Sequence, residues 1–267
     1  MDFPNNSSIE AEEIWIGKDF QIGSNVRIKV RGVFSIGNFG RFGNNVTINA
    51  EKVLIGDHFY HYTDGLNIGG GGSQFPEAEL VVGHRCVFHN NYINLASKVV
   101  IGNDVGLSPD VQILTHGFWN SILEGYPFAY KGVKIANGVI IGQRSMILPG
   151  VEIRENVVVG AQSTVTNSLF EENSIYAGNP ARLIRKIVEP SLETKIDMLD
   201  LLMLRYKELT QTRVYVTYPF ITTETIAINV ETKEITGTET EATDKLRHFL
   251  SRYGIRIYTE RPFKSIC

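Results

Sequence analysis

The chain has 267 residues, enough for one large domain or for one domain with a smaller companion. Its formal net charge is −3 and no basic stripe appears, which argues against nucleic acid as a partner. The first residues are polar and no long apolar run follows, so we expect neither a signal peptide nor a membrane span. Cys86 and Cys267 are two lone cysteines, which predicts a reducing, cytoplasmic setting.

The most regular feature of the sequence is a ladder of β-branched residues at every sixth position. Its members are Ile135, Ile141, Ile147, Ile153, Val159 and Val165. The residue two positions before each member is Val or Ser. A period of six is neither helical nor a plain alternation, but it suits a short strand followed by a tight corner. Three such units form one triangular turn of a parallel β-helix, which buries the branched residues in continuous columns.

The same register extends toward the N-terminus, with two interruptions. We therefore predict a β-helix domain over residues 1–188, with loop insertions near 57–79 and 115–131. Many ladder residues are followed by Gly, and we expect Gly or Asn at corners that need positive φ. The run Gly69–Gly72 in the first insertion lacks the Lys-Ser/Thr of a phosphate-binding loop, which leaves a lid or a plain surface loop.

Residues 189–267 have a different pattern, which predicts a small α+β domain. Apolar residues between Leu192 and Tyr206 step by three and four, as in an amphipathic helix. Strand-like runs follow at 213–218, 225–230 and 233–236, then a second helix that begins with capping-box spacing near 238–241, and a last strand at 255–259. The sequence assigns no chemistry to this domain.

Three stretches resemble the C-terminal half of the hexapeptide-repeat acyltransferases, which include sugar and polysaccharide O-acetyltransferases. They are 141–150, 157–166 and 174–182, the last of which contains Ala-Gly-Asn-Pro-Ala. The resemblance implies a left-handed parallel β-helix, an exception to the usual right-handed crossover. It also implies acetyl-CoA as acyl donor, a carbohydrate acceptor, and a homotrimer with active sites in the grooves between subunits.

His116 stands at the start of the second insertion, where this family places its catalytic histidine. A neutral imidazole can take the proton of a sugar hydroxyl as that oxygen attacks a thioester, a gain of roughly 100- to 10,000-fold. A solvated loop histidine is the plain alternative. Asn94 matches the position where sugar acetyltransferases hold an acceptor hydroxyl, although an Asn at a corner can equally serve positive φ.

Three residues of the second insertion are further candidates on the acceptor side. Glu124 could orient the imidazole of His116, and Trp119 and Tyr126 could stack on a sugar ring. A solvated carboxylate and aromatic side chains that pin the loop to the body are the alternatives.

For the acyl donor, the resemblance implies that backbone amides near Gly142 and Ala161 hold the pantetheine arm of acetyl-CoA. The amide of Gln143 would stabilise the negative charge on the thioester oxygen. A basic cluster past the last coil could contact the CoA phosphates or could be a solvated helix start. The cluster consists of Arg182, Arg185 and Lys186.

Three alternative functions stay open at this point. The first is N-acetylation of a nucleotide-linked amino sugar, for which the Gly-rich loop could supply a nucleotide pocket. The second is a zinc enzyme of the γ-carbonic anhydrase type with His84, His89 and His116 as ligands, although the spacing is wrong and we expect no metal. The third is a β-helix without catalytic activity.

Overall fold

A computed structural model describes residues 1–71, 73–117 and 120–262. The chain divides into two compact units, Met1–Ile187 and Val188–Cys267. The predicted fold class is confirmed, because the first unit is a left-handed parallel β-helix and the second is a small α+β appendage. Within the described ranges, no helix combines the length and the apolar character needed to cross a membrane.

Three sheets form the faces of the β-helix, and each coil contributes one strand to each face. The first sheet contains Asp2–Phe3, Ser7–Glu10, Arg27–Val30, Val46–Ala50, Leu66–Ile68, Tyr92–Ile93, Gln112–Ile113, Met146–Ile147 and Thr164–Val165. The second contains Glu13–Ile16, Val33–Ile36, Lys52–Ile55, Glu79–Val82, Val99–Ile101, Val133–Ile135 and Glu152–Ile153. The third contains Gln21–Ile22, Arg41–Phe42, Tyr60–His61, Val87–Phe88, Gly106–Leu107, Ile140–Ile141, Val158–Val159, Ser174–Ala177 and Arg182–Lys186.

The ladder of the sequence becomes three buried columns, one behind each sheet. Ladder residues that are 18 positions apart stack on each other in parallel register, as in the pairs Ile135–Ile153, Ile141–Val159 and Ile147–Val165. All six are at most 2% exposed. Their burial drives the stacking of the coils, because apolar area is removed from water at every rung.

The glycines that follow ladder residues have a different role from the one expected. The corner residues with positive φ are mostly polar, such as Arg144 at 59° and Gln162 at 58°. Gly142 is not among them, but a Cβ there would lie 2.5 Å from the backbone nitrogen of Ala161 in the next coil. Glycine is therefore needed at this position because the coils stack closely, and the expectation based on φ was wrong for it.

The first insertion is shorter than predicted, because the interval 57–79 contains two rungs. Tyr60–His61 pairs in parallel with Val87–Phe88, and Leu66–Ile68 pairs with Val46–Ala50. The insertion itself lies between Ile68 and Glu79. The sequence concealed the first of these rungs because His61, which is fully buried, occupies a ladder position between Phe42 and Phe88 of the third sheet.

The second insertion leaves the stack of coils as a loop. Its base is an antiparallel pair of two-residue strands, His116–Gly117 and Ala129–Tyr130. A single 3-10 turn, Ile122–Glu124, lies in between, and the Ser121 side chain accepts a hydrogen bond from the Leu123 amide at its start. The hairpin fixes His116 at the edge of the β-helix.

The second unit has one antiparallel sheet and two helices. The strands are Tyr215–Thr217, Phe220–Thr222, Ile226–Asn229 and Glu234–Gly237, and the helices are α1, Leu192–Thr210, and α2, Glu241–Ser251. Thr240 and Thr243 form the capping box of α2. The strand predicted at 255–259 was wrong: Ile257 packs in the core, but its carbonyl accepts from Nε of Arg247 instead of joining the sheet.

Candidate active site

Asn94 and Thr115 hold the imidazole of His116 at the corner that follows the first sheet. Nδ1 of His116 lies 2.7 Å from Oδ1 of Asn94, and Asn94 is only 1% exposed. The same Oδ1 accepts from the amide of Thr115 at 3.2 Å and from its hydroxyl at 2.6 Å. Asn94 and Thr115 are thus both used to fix His116 and the backbone next to it.

This network determines which nitrogen of His116 carries the proton. The amide orientation of Asn94 is fixed, since Oδ1 faces the obligate donor N–H of Thr115 and Nδ2 donates to the carbonyl of Gly70. Because Oδ1 can only accept, Nδ1 of neutral His116 must be the donor. Nε2 then carries the lone pair, which is the tautomer that a general base requires.

Tyr130, which sequence analysis missed, stacks on the imidazole. The two rings are 5.8 Å apart between centroids and inclined by 19°. Tyr130 is the hairpin partner of His116, so the same backbone pairing that fixes the histidine also places the tyrosine. The sequence could have indicated Tyr130, because the two ends of an insertion must meet where the loop leaves the coil. His116 lies at one end of this insertion and Tyr130 at the other.

The Gly-rich first insertion packs against this histidine. The carbonyl of Gly70 accepts from Nδ2 of Asn94 and, at 3.0 Å, from the hydroxyl of Tyr92. Gly71 has φ +75°, and a Cβ on it would lie 3.4 Å from Cε1 of His116. Gly70 and Gly71 therefore line one side of the site, and a Cβ on Gly71 would also lie 3.2 Å from Nδ2 of Asn94. Gly72 lies outside the described residues.

Arg31 anchors the same insertion from the other end. Its guanidinium donates to the carbonyls of Ser73 at 2.6 Å and Phe75 at 3.0 Å, and pairs with Glu51. Phe75 in turn meets Tyr130 edge-to-face at 5.5 Å. The two insertions, which are far apart in sequence, thus contact each other beside His116.

The remaining acceptor-side candidates are not brought to His116 by any contact we observe. Glu124 lies on the exposed 3-10 turn, and Tyr126 is 49% exposed. Trp119 lies outside the described residues. Asn94, not Glu124, is the residue that orients the imidazole in this structure.

The donor-side candidates lie at a different corner of the coil. Gln143 precedes the strand Met146–Ile147, whereas His116 follows Gln112–Ile113, and these two strands are paired in the first sheet. The corners are therefore at opposite ends of the same face. One chain does not bring His116 and Gln143 together.

The backbone amides at that second corner differ in what they can bind. The N–H of Gly142 donates to the carbonyl of Val159 at 2.8 Å, so this amide already has a partner inside the β-helix. The N–H groups of Gln143 and Ala161 are on exposed residues and donate no hydrogen bond within the described residues. These two N–H groups can donate hydrogen bonds to an oxygen of a ligand.

The predicted basic cluster is divided between two faces of a strand. Arg182 lies opposite Ala177 and Arg185 opposite Ile175, and an irregularity in the register puts both arginines on one face of the hairpin. Lys186 lies opposite Ser174, on the other face, and binds Glu171 at 2.9 Å, which raises the pKa of this lysine. Only the two arginines form a basic pair.

The three histidines considered for zinc lie at three different corners. His84 follows a strand of the second sheet, His89 one of the third and His116 one of the first. Among the described residues, no group of three or more His, Cys, Asp or Glu could hold a metal ion.

The fold and this site define a β-helix protein with a fixed histidine beside two insertions, and comparison shows which sequence repeat the chain contains. Residues 132–167 match the family model described as bacterial transferase hexapeptide (six repeats). The chain thus contains the hexapeptide repeat in this segment, and the resemblance stated from its sequence is confirmed.

Two of the relatives carry the word acetyltransferase in their names. A Saccharomyces cerevisiae protein named "Putative acetyltransferase YJL218W" is 40% identical over 109 residues, which are 40% of this chain and 55% of the relative. A Lysinibacillus sphaericus protein named "Probable macrolide acetyltransferase" is 33% identical over 118 residues, covering 36% of this chain and 64% of the relative. The chain thus spans less than two thirds of each relative. A maltose O-acetyltransferase from Clostridium difficile 630 aligns with TM-score 0.36 and 25% identity, over 66% of this chain and 70% of that one.

Proposed function

We propose that this protein is an acetyl-CoA-dependent O-acetyltransferase that acetylates a hydroxyl of a sugar or surface polysaccharide by direct transfer. The observation that carries the proposal is the hydrogen bond from Nδ1 of His116 to Asn94, which leaves the lone pair on Nε2. A hexapeptide-repeat chain whose relatives are named acetyltransferases is the context in which such a base has a use.

In the proposed mechanism, Nε2 of His116 takes the proton of the acceptor hydroxyl as its oxygen attacks the thioester carbonyl carbon. The imidazolium that forms is stabilised because its Nδ1–H already donates to Asn94. The carbon–sulfur bond then breaks, and the proton passes from Nε2 to the departing thiolate. A general base supplies about 100- to 10,000-fold in such a step.

The thioester is proposed to bind at the corner of Gln143 and Ala161. Their N–H groups are on exposed residues and have no partner within the described residues, so they can donate to the thioester oxygen and to the pantetheine arm. Arg182 and Arg185, on one face of the terminal hairpin, are suited to the CoA phosphates.

The active unit is proposed to be an oligomer, for which a trimer is the expectation. The base and the donor-side amides lie at opposite ends of one face of the chain, so a complete site needs the His116 corner of one copy and the Gln143 corner of another. The cytoplasmic location stays a prediction from the cysteine count.

The test is release of free thiol from acetyl-CoA by the full chain, measured against sugars, oligosaccharides and nucleotide-linked amino sugars. We expect turnover with hydroxyl acceptors and at least a ~100-fold loss of kcat in His116→Ala, with acetyl-CoA binding retained. His84→Ala, at another corner, is the matched control and should keep full activity. Near-normal turnover in His116→Ala would falsify the assignment of the base.

The acceptor panel also decides between the alternatives. Turnover only with amino sugars linked to a nucleotide would replace O-acetylation by N-acetylation. Absence of both turnover and acyl-CoA binding would favour a β-helix without catalysis.

A further inference from the structure

Helix α1 of the second unit has two apolar faces, and its own unit buries only one of them. Leu199, Met203 and Tyr206 are at most 3% exposed and belong to the core of that unit. On the other side of the helix, Met198 is 54%, Leu201 67% and Leu204 54% exposed. At 3.6 residues per turn, 198, 201 and 204 form one stripe with Leu201 at its centre. Three large apolar side chains in a row on a helix surface indicate an interaction surface.

The charges that flank this stripe are arranged symmetrically about Leu201. Asp197 lies four residues before Leu201 and Arg205 four residues after it. Neither forms an ion pair with any residue that the structure describes. Met198 and Leu204 are likewise three residues before and three after Leu201. A rotation of 180° about an axis through Leu201 therefore places apolar residues opposite apolar residues and Asp197 opposite Arg205.

An apolar groove continues this surface on one side of the helix. It has a volume of about 660 Å³, and its lining includes Met198, Leu201, Tyr253 and Ile255. Lys195 closes the rim through ion pairs with Glu189 and Glu231, so the groove offers no unpaired cation there. A partner that covers the stripe can therefore extend apolar side chains into this groove, because it does not need to supply a charge to pair with Lys195.

We propose that α1 packs antiparallel against α1 of a second copy of this chain, with the two-fold axis at Leu201. Leu201 then meets the partner's Leu201, and Met198 meets the partner's Leu204. Asp197 pairs with the partner's Arg205, and the symmetry repeats this ion pair on the other side of the axis. Such self-complementary contacts are what a two-fold interface requires.

The balance of charge favours a protein copy over a lipid surface. A helix that binds anionic membranes carries an excess of Lys and Arg along its polar face. Here the stripe is flanked by one acidic and one basic residue, Asp197 and Arg205, and the helix as a whole has four acidic and three basic residues. The interface is independent of the proposed acetyl transfer, because it uses none of the residues assigned to that reaction.

The first test is a cysteine at the axis. Leu201→Cys should form a disulfide-linked pair of chains under mild oxidation, reversed by reductant, because the two residues face each other. Leu209→Cys is the matched control: Leu209 is 65% exposed on the same helix but lies away from the axis. We expect no more linked product from it than from wild type. Equal yields from the two variants would overturn the proposal.

The second test changes the charges and measures the mass of the full chain by sedimentation. Asp197→Arg and Arg205→Asp should each weaken the association at least tenfold, and the double variant should restore it. Leu201→Glu should halve the mass, with the helical circular dichroism unchanged. A double variant no better than the singles, or a mass unaffected by all of these changes, would contradict the pairing. Tight binding to anionic vesicles without self-association would show that the stripe binds a lipid surface and not a second copy of the chain.

Discussion

The two corners at the ends of the first sheet differ in how many of their polar groups already have a hydrogen-bond partner within the protein. At the His116 corner, Asn94, Thr115 and the carbonyl of Gly70 satisfy one another, and two insertions pack around the ring. At the Gln143 corner, the repeat runs without insertion, and two N–H groups on exposed residues have no partner in the described residues. The contrast fits the proposed roles, because a general base has to be held in place by the protein, whereas a corner that binds a ligand has to leave its N–H donors unpaired.

The largest expected effect tests the open corner. Gln143→Pro removes one N–H, and we expect kcat to fall by roughly 100- to 1,000-fold, as when a donor to a developing oxyanion is lost. The fold should tolerate the ring, because Pro109 occupies the same corner position in the preceding coil, just before Asp110 at φ 61°.

Gln143→Ala is the matched control for this change, since it removes the side chain but keeps the N–H. It should retain nearly full activity in the thiol-release assay. If both variants lose activity equally, the side chain and not the amide is responsible. If neither does, the donor corner lies elsewhere.

A smaller effect is expected at the closed corner. Asn94→Ala should lower kcat by about 10- to 100-fold, because the imidazole loses the acceptor that keeps its proton on Nδ1. The Michaelis constant for the acceptor should change little, and the pH dependence of kcat should shift. A rise in that constant with kcat unchanged would instead support the predicted role of Asn94 in binding the acceptor hydroxyl.

The smallest effect concerns stability and leaves catalysis alone. Burial lowers the pKa of His61 from 6.5 to about 4. Below pH 6.5 the unfolded chain binds a proton that the folded chain does not, so the free energy of unfolding should fall as the pH drops toward about 4. Burial also lowers the pKa of His89, which adds to the same trend.

His61→Phe should reduce this acid sensitivity, which urea unfolding between pH 7 and pH 4.5 would measure. Phenylalanine already occupies the column on either side, at Phe42 and Phe88. The variant loses one hydrogen bond, because Nδ1 of His61 accepts from the amide of Gly43 at 3.1 Å and phenylalanine has no acceptor there. An unchanged pH dependence in the variant would show that His61 does not titrate as proposed.

The sequence by itself determined the architecture of the β-helix, because each rung needs only its own branched residue and a neighbour 18 positions away. It also marked His116, which stands where the ladder stops. It did not reveal the rung at His61, since a polar residue in a buried column interrupts the six-residue spacing of apolar residues.

Only the tertiary structure decided which side chains surround His116. Asn94, Tyr130 and Gly70 come from three separate segments, and their convergence depends on how two insertions fold back over one corner. No periodicity encodes that convergence. It arises because each buried polar group must find a partner, and the partners that remain within reach are set by the stacking of the coils.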